Sequence, residues 1–166
     1  MISVEFDTKA IAERLSRLGD AIGDMTPVHK DIGEYMVKAT RERFLRGEAP
    51  DGTKWRPKSH TTLARYLAQG DGSRPDPLIG PSRRLSREVL SFATKDGVEI
   101  GSALEYAGVM QFGAAQGAFG KDSRNHPLPW GDIPARVWLG LSEDDERNIL
   151  DIAETFLEAA VGEQNG

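Results

Sequence analysis

Apolar residues recur along this chain mainly with the period of an amphipathic helix, and only one short stretch alternates as a strand does. Ile11, Leu15, Leu18 and Ile22 stand four, three and four residues apart, on one face of a first helix that Asp7 can cap. Gly19 and Gly23 weaken its end. Thr26-Pro27 reads as an N-cap followed by proline at the first helical position. The helix it opens runs to about Phe44, with Val28, Ile32, Tyr35, Met36 and Ala39 as its apolar stripe. The short join predicts an αα-hairpin or one interrupted long helix. Pro50-Asp51-Gly52 is a turn, because proline presets φ and glycine accepts positive φ. Trp55 follows it as a packing anchor. Ser59 caps a short third helix carrying Leu63, Tyr66 and Leu67, and residues 70–77 form a loop.

The strand signal lies in residues 88–102. Leu90, Phe92 and Thr94 alternate, Asp96-Gly97 supplies the turn, and Val98 and Ile100 alternate beyond it, which predicts a hairpin. Tyr106 to Phe112 reads as a helical turn. Residues 113–132 read as a long loop rich in Gly and Ala, closing with Pro127, Pro129 and Trp130. From Ile133 a short apolar strand is handed directly to the last helix. Ser142 caps that helix, and Glu143, Asp144 and Asp145 fill its first turn, where the helix dipole favours negative charge. Ile149, Ala153, Phe156 and Ala160 share one stripe of it. The sum is an α+β architecture: N-terminal helices, a small antiparallel sheet, a long C-terminal helix and long loops, in one domain over residues 1–166.

Composition narrows the reading. At 166 residues with 39% hydrophobic positions, 18 Gly and 9 Pro, the chain builds one modest core with extended loops. Zero cysteines exclude a disulfide framework or thiolate site and fit a reducing compartment. The start, Met-Ile-Ser-Val-Glu-Phe-Asp, lacks a signal-peptide pattern, and no run approaches the roughly 18 apolar residues of a membrane helix. A soluble intracellular product, with no membrane partner, is expected. Charge is unevenly spread. Residues 41–87 carry eleven Lys or Arg against five Asp or Glu, an excess of six positive charges. Residues 142–166 carry one Arg against eight acids, an excess of seven negative charges. Such regions either steer copies together head to tail or are screened, solvated faces.

Chemistry finds little to use. His29, His60 and His126 are scattered and pair with no second ligand at i, i+4. No nucleophile elbow, phosphate loop or dinucleotide fingerprint is present. Helix-start stabilisation accounts for the acids at 143–146, and turn formation for Asp51 and Asp96. Nucleic acid is the stronger rival. Arg83, Arg84 and Arg87 cluster, and Lys54, Arg56 and Lys58 alternate around Trp55, as phosphate contact with aromatic stacking would need. The overall acidity and the lack of a reader helix favour surface or interface arginines instead.

The order of the segments is itself informative. Phe44 precedes Ala-Pro-Asp-Gly-Thr-Lys-Trp-Arg-Pro (49–57) and Thr62-Leu63; Leu78-Ile79 precede Arg84-Leu85-Ser86. Gly97-Val-Glu-Ile-Gly-Ser102, Tyr106-Ala107, Gln111-Phe112-Gly113, Ile133-Pro-Ala-Arg136 and Trp138-Leu-Gly-Leu-Ser142 complete the series. The chain thereby resembles the phage virion morphogenesis (tail completion) family of contractile-tailed, Mu-like bacteriophages. It departs at Leu78-Ile79-Gly80-Pro81-Ser82, where the family often reads Leu-Ile-x-Thr-Gly. The resemblance implies a structural part that finishes the tail or neck and makes it competent to join the head. It implies no catalytic residue, no cofactor and no metal. Its place would be the virion tail or neck, after assembly in the host cytoplasm.

Expected partners are copies of the chain in a homo-oligomeric ring and other phage tail or neck proteins, with transient contact to packaged DNA. The candidate subunit interface comprises Trp55, Arg56, Arg83, Arg84, Arg87, Phe112, Arg136, Trp138, Glu143, Asp144 and Asp145. The basic region of one copy would meet the acidic final helix of the next, and the 113–132 loop would be an arm that orders on contact. The alternatives are a capsid assembly factor absent from the mature virion and a small nucleic-acid-binding protein.

Overall fold

The computed structural model describes residues 2–3 and 9–164. Its elements run β1 (Ile2–Ser3), α1 (Lys9–Ile22), α2 (Thr26–Arg46), α3 (His60–Ala68), α4 (Arg84–Arg87), β2 (Leu90–Ala93), β3 (Val98–Ser102), α5 (Ala107–Phe112) and α6 (Glu143–Gln164). The α+β expectation holds, with a three-stranded antiparallel sheet in the order β1-β3-β2. The hairpin forms in the register Leu90↔Gly101 to Ala93↔Val98. The edge strand β1 pairs Ile2 with Ser102 and was missed by periodicity, because two residues carry none. Asp7, the expected cap of α1, lies outside the described residues.

Two apolar clusters hold the elements together. In the first, Leu18 of α1, Val28, Ile32 and Met36 of α2, and Ile149 and Ala153 of α6 are buried together. Each large aliphatic side chain buried here contributes roughly 1.5–3 kcal/mol. The second gathers Phe44, Trp55, Leu85, Val89, Ala107, Trp138 and Leu139, and Ile100 of β3 packs against both. The α2 cap differs from expectation: Asp24 Oδ1 accepts from the Thr26 amide at 2.9 Å, so Thr26 is the first helical residue. At the other end Gly47, at φ 66°, donates its N–H to Arg43 O and closes the helix in a left-handed cap.

The β2 alternation points the opposite way from its apparent meaning. Leu90 and Phe92 face outward, Phe92 with 65% of its surface exposed. The face turned to α2 carries Ser91, because the helix approaches at Gly33. A Cβ at Gly33 would stand 2.8 Å from Ser91 Oγ, 2.9 Å from Ser91 Cβ and 3.0 Å from Val98 Cγ2. Close helix–sheet contact selects small residues there, and the larger ones go to the free face.

A buried polar hub fixes the start of α6. Ser142 Oγ accepts from the Asp145 amide at 3.1 Å, and Asp145 Oδ2 accepts from the Ser142 amide at 2.7 Å, a reciprocal capping box. The same carboxylate pairs with the Arg43 guanidinium, and its other oxygen accepts from Tyr35 Oη at 2.9 Å. Arg43 Nη1 also donates to Gly140 O at 2.9 Å. Every partner of this ion pair is needed, since a charge removed from water and left alone is expensive.

Two outcomes follow from this packing. Gly33→Ala gains about 1 kcal/mol of helix propensity but forces Ser91 aside. We expect it to lower stability in denaturant melts and Ser91→Gly to rescue it; a stabilised single variant would contradict the close approach. Asp145→Ala strands the Arg43 charge and should cost about 3–5 kcal/mol, roughly 10 °C in thermal midpoint. An unchanged midpoint would refute the hub. Burial, then the Asp145 contact, pushes the Tyr35 hydroxyl up to about 12 from 10.0. The stability this lends is complete below pH 10 and lost as pH climbs through 12, a loss that Tyr35→Phe should abolish in alkaline melts.

Candidate assembly surface

The short strand expected from Ile133 does not form: beyond the Ala114↔Ile133 bridge, segment 133–141 joins no sheet, because no neighbouring strand is there to pair with it. The Gln111 side chain of α5 takes the place of a neighbouring strand. Its Oε1 accepts from the amides of Trp138 (2.9 Å) and Leu139 (3.0 Å), while Nε2 donates to Leu139 O at 2.9 Å. One buried amide thus satisfies three backbone groups. Trp138 is fully buried, donating Nε1–H to Ala107 O at 3.2 Å and packing on Phe44 with centroids 5.9 Å apart. Trp55 meets Phe44 edge-on at 5.2 Å and donates to Val137 O at 2.8 Å.

Four of the eleven expected interface residues therefore serve the subunit's own interior: Trp55, Trp138, Arg136 and Asp145 are all buried. A tryptophan beside a turn and one in an apolar run have the same signature whether they pack inward or outward. Burial of Trp55 also removes the aromatic that a nucleic-acid reading would stack on. Lys54 is tied to Glu48 (3.0 Å), which holds that carboxylate below its usual range, and to Arg46 O. Arg84 forks onto Glu88 at 2.7 and 3.1 Å. Arg56, Arg83, Arg87, Phe112, Glu143 and Asp144 lie exposed.

The structure gathers a different set of cations. A cleft of about 890 Å³ between α3, α4 and α5 is lined by Arg56, Lys58, Arg65, Arg84 and Arg136, with Asp132 as its acidic member. Arg136, 8% exposed, donates Nε–H to Arg56 O at 2.7 Å and Nη2–H to Pro57 O at 3.0 Å. Burial, then the nearby Arg56, holds its pKa down. Lys58 donates to the carbonyls of Arg74 (2.7 Å) and Ile79 and stands over the Tyr66 ring at 5.0 Å; burial lowers its pKa as well. Lys58 and Arg65 were absent from the expected set because they fall in separate elements that only the fold brings together.

The 113–132 segment is a folded arm held by its own backbone hydrogen bonds. Phe119 N donates to Leu128 O at 2.7 Å, Leu128 N to Gly120 O at 2.8 Å, and Ile133 N to Ala114 O at 2.7 Å, an antiparallel ladder along its length. Gly113 is required at its root: at φ 74°, a Cβ would sit 2.6 Å from Ile133 O. Phe119 and Trp130 project from the arm, Trp130 with 70% of its surface exposed. The sequence reads as a loop here because the ladder uses Gly, Ala and Pro rather than strand formers.

Among the described residues no group of three His, Asp or Glu is placed to hold a metal ion. His29, in the first turn of α2, hydrogen-bonds Thr94 O through Nδ1 at 2.7 Å. No described helix is long and apolar enough to cross a membrane. The chain is 27% identical over 161 residues to the Escherichia phage Mu protein named "Putative capsid assembly protein G", covering 96% of each sequence. No solved structure matches it at a significant level. The family model for phage virion morphogenesis matches residues 6–158, spanning the Gln111 clamp, the cleft, the arm and most of α6, and so the chain belongs to the phage virion morphogenesis family.

Proposed function

We propose that this chain is a non-enzymatic structural subunit that completes the phage tail or neck and supports head-tail joining as a closed ring of copies. The observation that carries the reading is segregation of opposite charge to two surfaces of one subunit. The cleft around Arg136 is cationic, and α6 presents an acidic outer face in which Asp144, Asp151 and Glu158 recur every seven residues, all exposed. Two different surfaces that complement each other make a heterologous contact, and a heterologous contact closes into a ring when its rotation allows. The exposed aromatic arm adds apolar surface of the kind expected at interfaces.

A second reading has its own support. The name of the Mu relative favours a factor acting in capsid assembly. Nucleic-acid binding is weakened by the interior position of Trp55 and by the pairing of Lys54 and Arg84. Native mass spectrometry of the purified chain should show a closed oligomer at moderate salt that falls to smaller species at high salt. Proteomics of purified virions should recover the chain in stoichiometric amount. A monomer at every salt concentration would overturn the ring, and absence from virions would favour the assembly factor.

A further inference from the structure

We infer that the Arg56–Lys58–Arg65–Arg136 cleft is a carboxylate-binding socket whose occupant is the outer face of α6, through Asp151 and Glu158, in a second copy of the chain. The inference rests on the self-assembly reading and names its joint. Four cations in the cleft form no ion pair among the described residues, although the charge of Asp76 acts on Lys58 from farther away. Arg136 and Lys58 donate only to carbonyls, and among the described residues Arg56 and Arg65 form no ion pair. Beside Lys58, Arg74 keeps a buried Nε–H with no acceptor. Charges removed from water against carbonyls alone reward any anion that enters.

The cleft favours a side-chain carboxylate over a nucleic-acid backbone. Arg136 is buried and Lys58 half-buried beside apolar Leu78, Leu85, Met110 and Ile133, which suit the methylene stem of an acid, while Arg56 and Arg65 stand exposed. A duplex needs cations in an open row to follow its phosphates. The acids of the first turn, Glu143 and Asp144, were the expected contact, but they already serve the positive end of the helix, and Asp144 is paired with Arg147. Asp151 and Glu158 have no such task. They lie on one face about 10 Å apart. Neither forms an ion pair among the described residues, whereas neighbouring Glu154 is held by Arg14 at 2.8 Å.

Charge reversal tests the joint on full-length protein. Arg56→Glu/Arg65→Glu copies and Asp151→Lys/Glu158→Lys copies should each associate at least tenfold more weakly than the native chain. An equimolar mixture should regain assembly, because every cleft then faces a helix of opposite charge. Circular dichroism checks that these exposed substitutions leave the fold intact. Since the chain has no cysteine, an Arg65→Cys/Glu158→Cys variant should form disulfides between subunits without background. If native protein assembles while the reversed variants assemble equally well and no cross-link forms, the socket is wrong and self-assembly stands. If native protein never assembles, both fall. If the arginine variant loses affinity for a duplex oligonucleotide with its mass unchanged, the cleft binds phosphate and the proposal is overturned.

Discussion

The ion pair between Arg43 and Asp145 is the constraint on which the other parts depend. It joins the last turn of α2 to the first turn of α6 and, through Gly140 O, to the segment that leads into α6. Ser142 and Tyr35 complete the shell around the carboxylate. Without it α6 would have an apolar stripe to bury but no fixed entry angle. The Gln111 amide performs the matching task one step earlier, holding the Trp138–Leu139 backbone where no strand is available. Both devices are polar groups buried with their partners present, which secures one arrangement where apolar packing tolerates several.

That arrangement decides what is left outside. Segment 133–141 turns Trp138 and Leu139 inward, and Arg136 reaches the carbonyls of residues 56 and 57. The turn that delivers Trp55 to the core thereby also becomes one wall of the cationic cleft. Gly113, pressed against Ile133 O, launches the arm beside the same cleft. Interior order and outer surface are consequences of the same few contacts. The chain's buried polar groups fix its shape, and charge and aromatic rings are left on its surface.

Much of the helical frame was legible in the chain. The stripe through Leu18, the Ser59 and Ser142 caps, the Asp96-Gly97 turn and the stripe through Ile149 depend on neighbours within a few residues, and the fold contains them all. What failed was direction. Leu90 and Phe92 alternate as a buried face would, and Gly33 reverses them from nearly sixty positions away. Trp55 and Trp138 had the chemistry of interface anchors, and their places in the core depend on Phe44. The cationic cleft was partly legible: Arg56, Arg84 and Arg136 stood out and Lys58 was noted beside Trp55, while Arg65 acquires meaning only when the fold brings α3 to the same cleft.

The central claim is that these outer surfaces exist to seat copies of the chain around a common axis in an assembling virion. Electron cryomicroscopy of purified particles, focused on the junction of head and tail, addresses it most directly. The account predicts a ring of this chain at that junction, each copy's α6 lying against the residue 56–65 region of its neighbour. A junction lacking the chain, or holding it as isolated copies with both surfaces facing solvent, would contradict it.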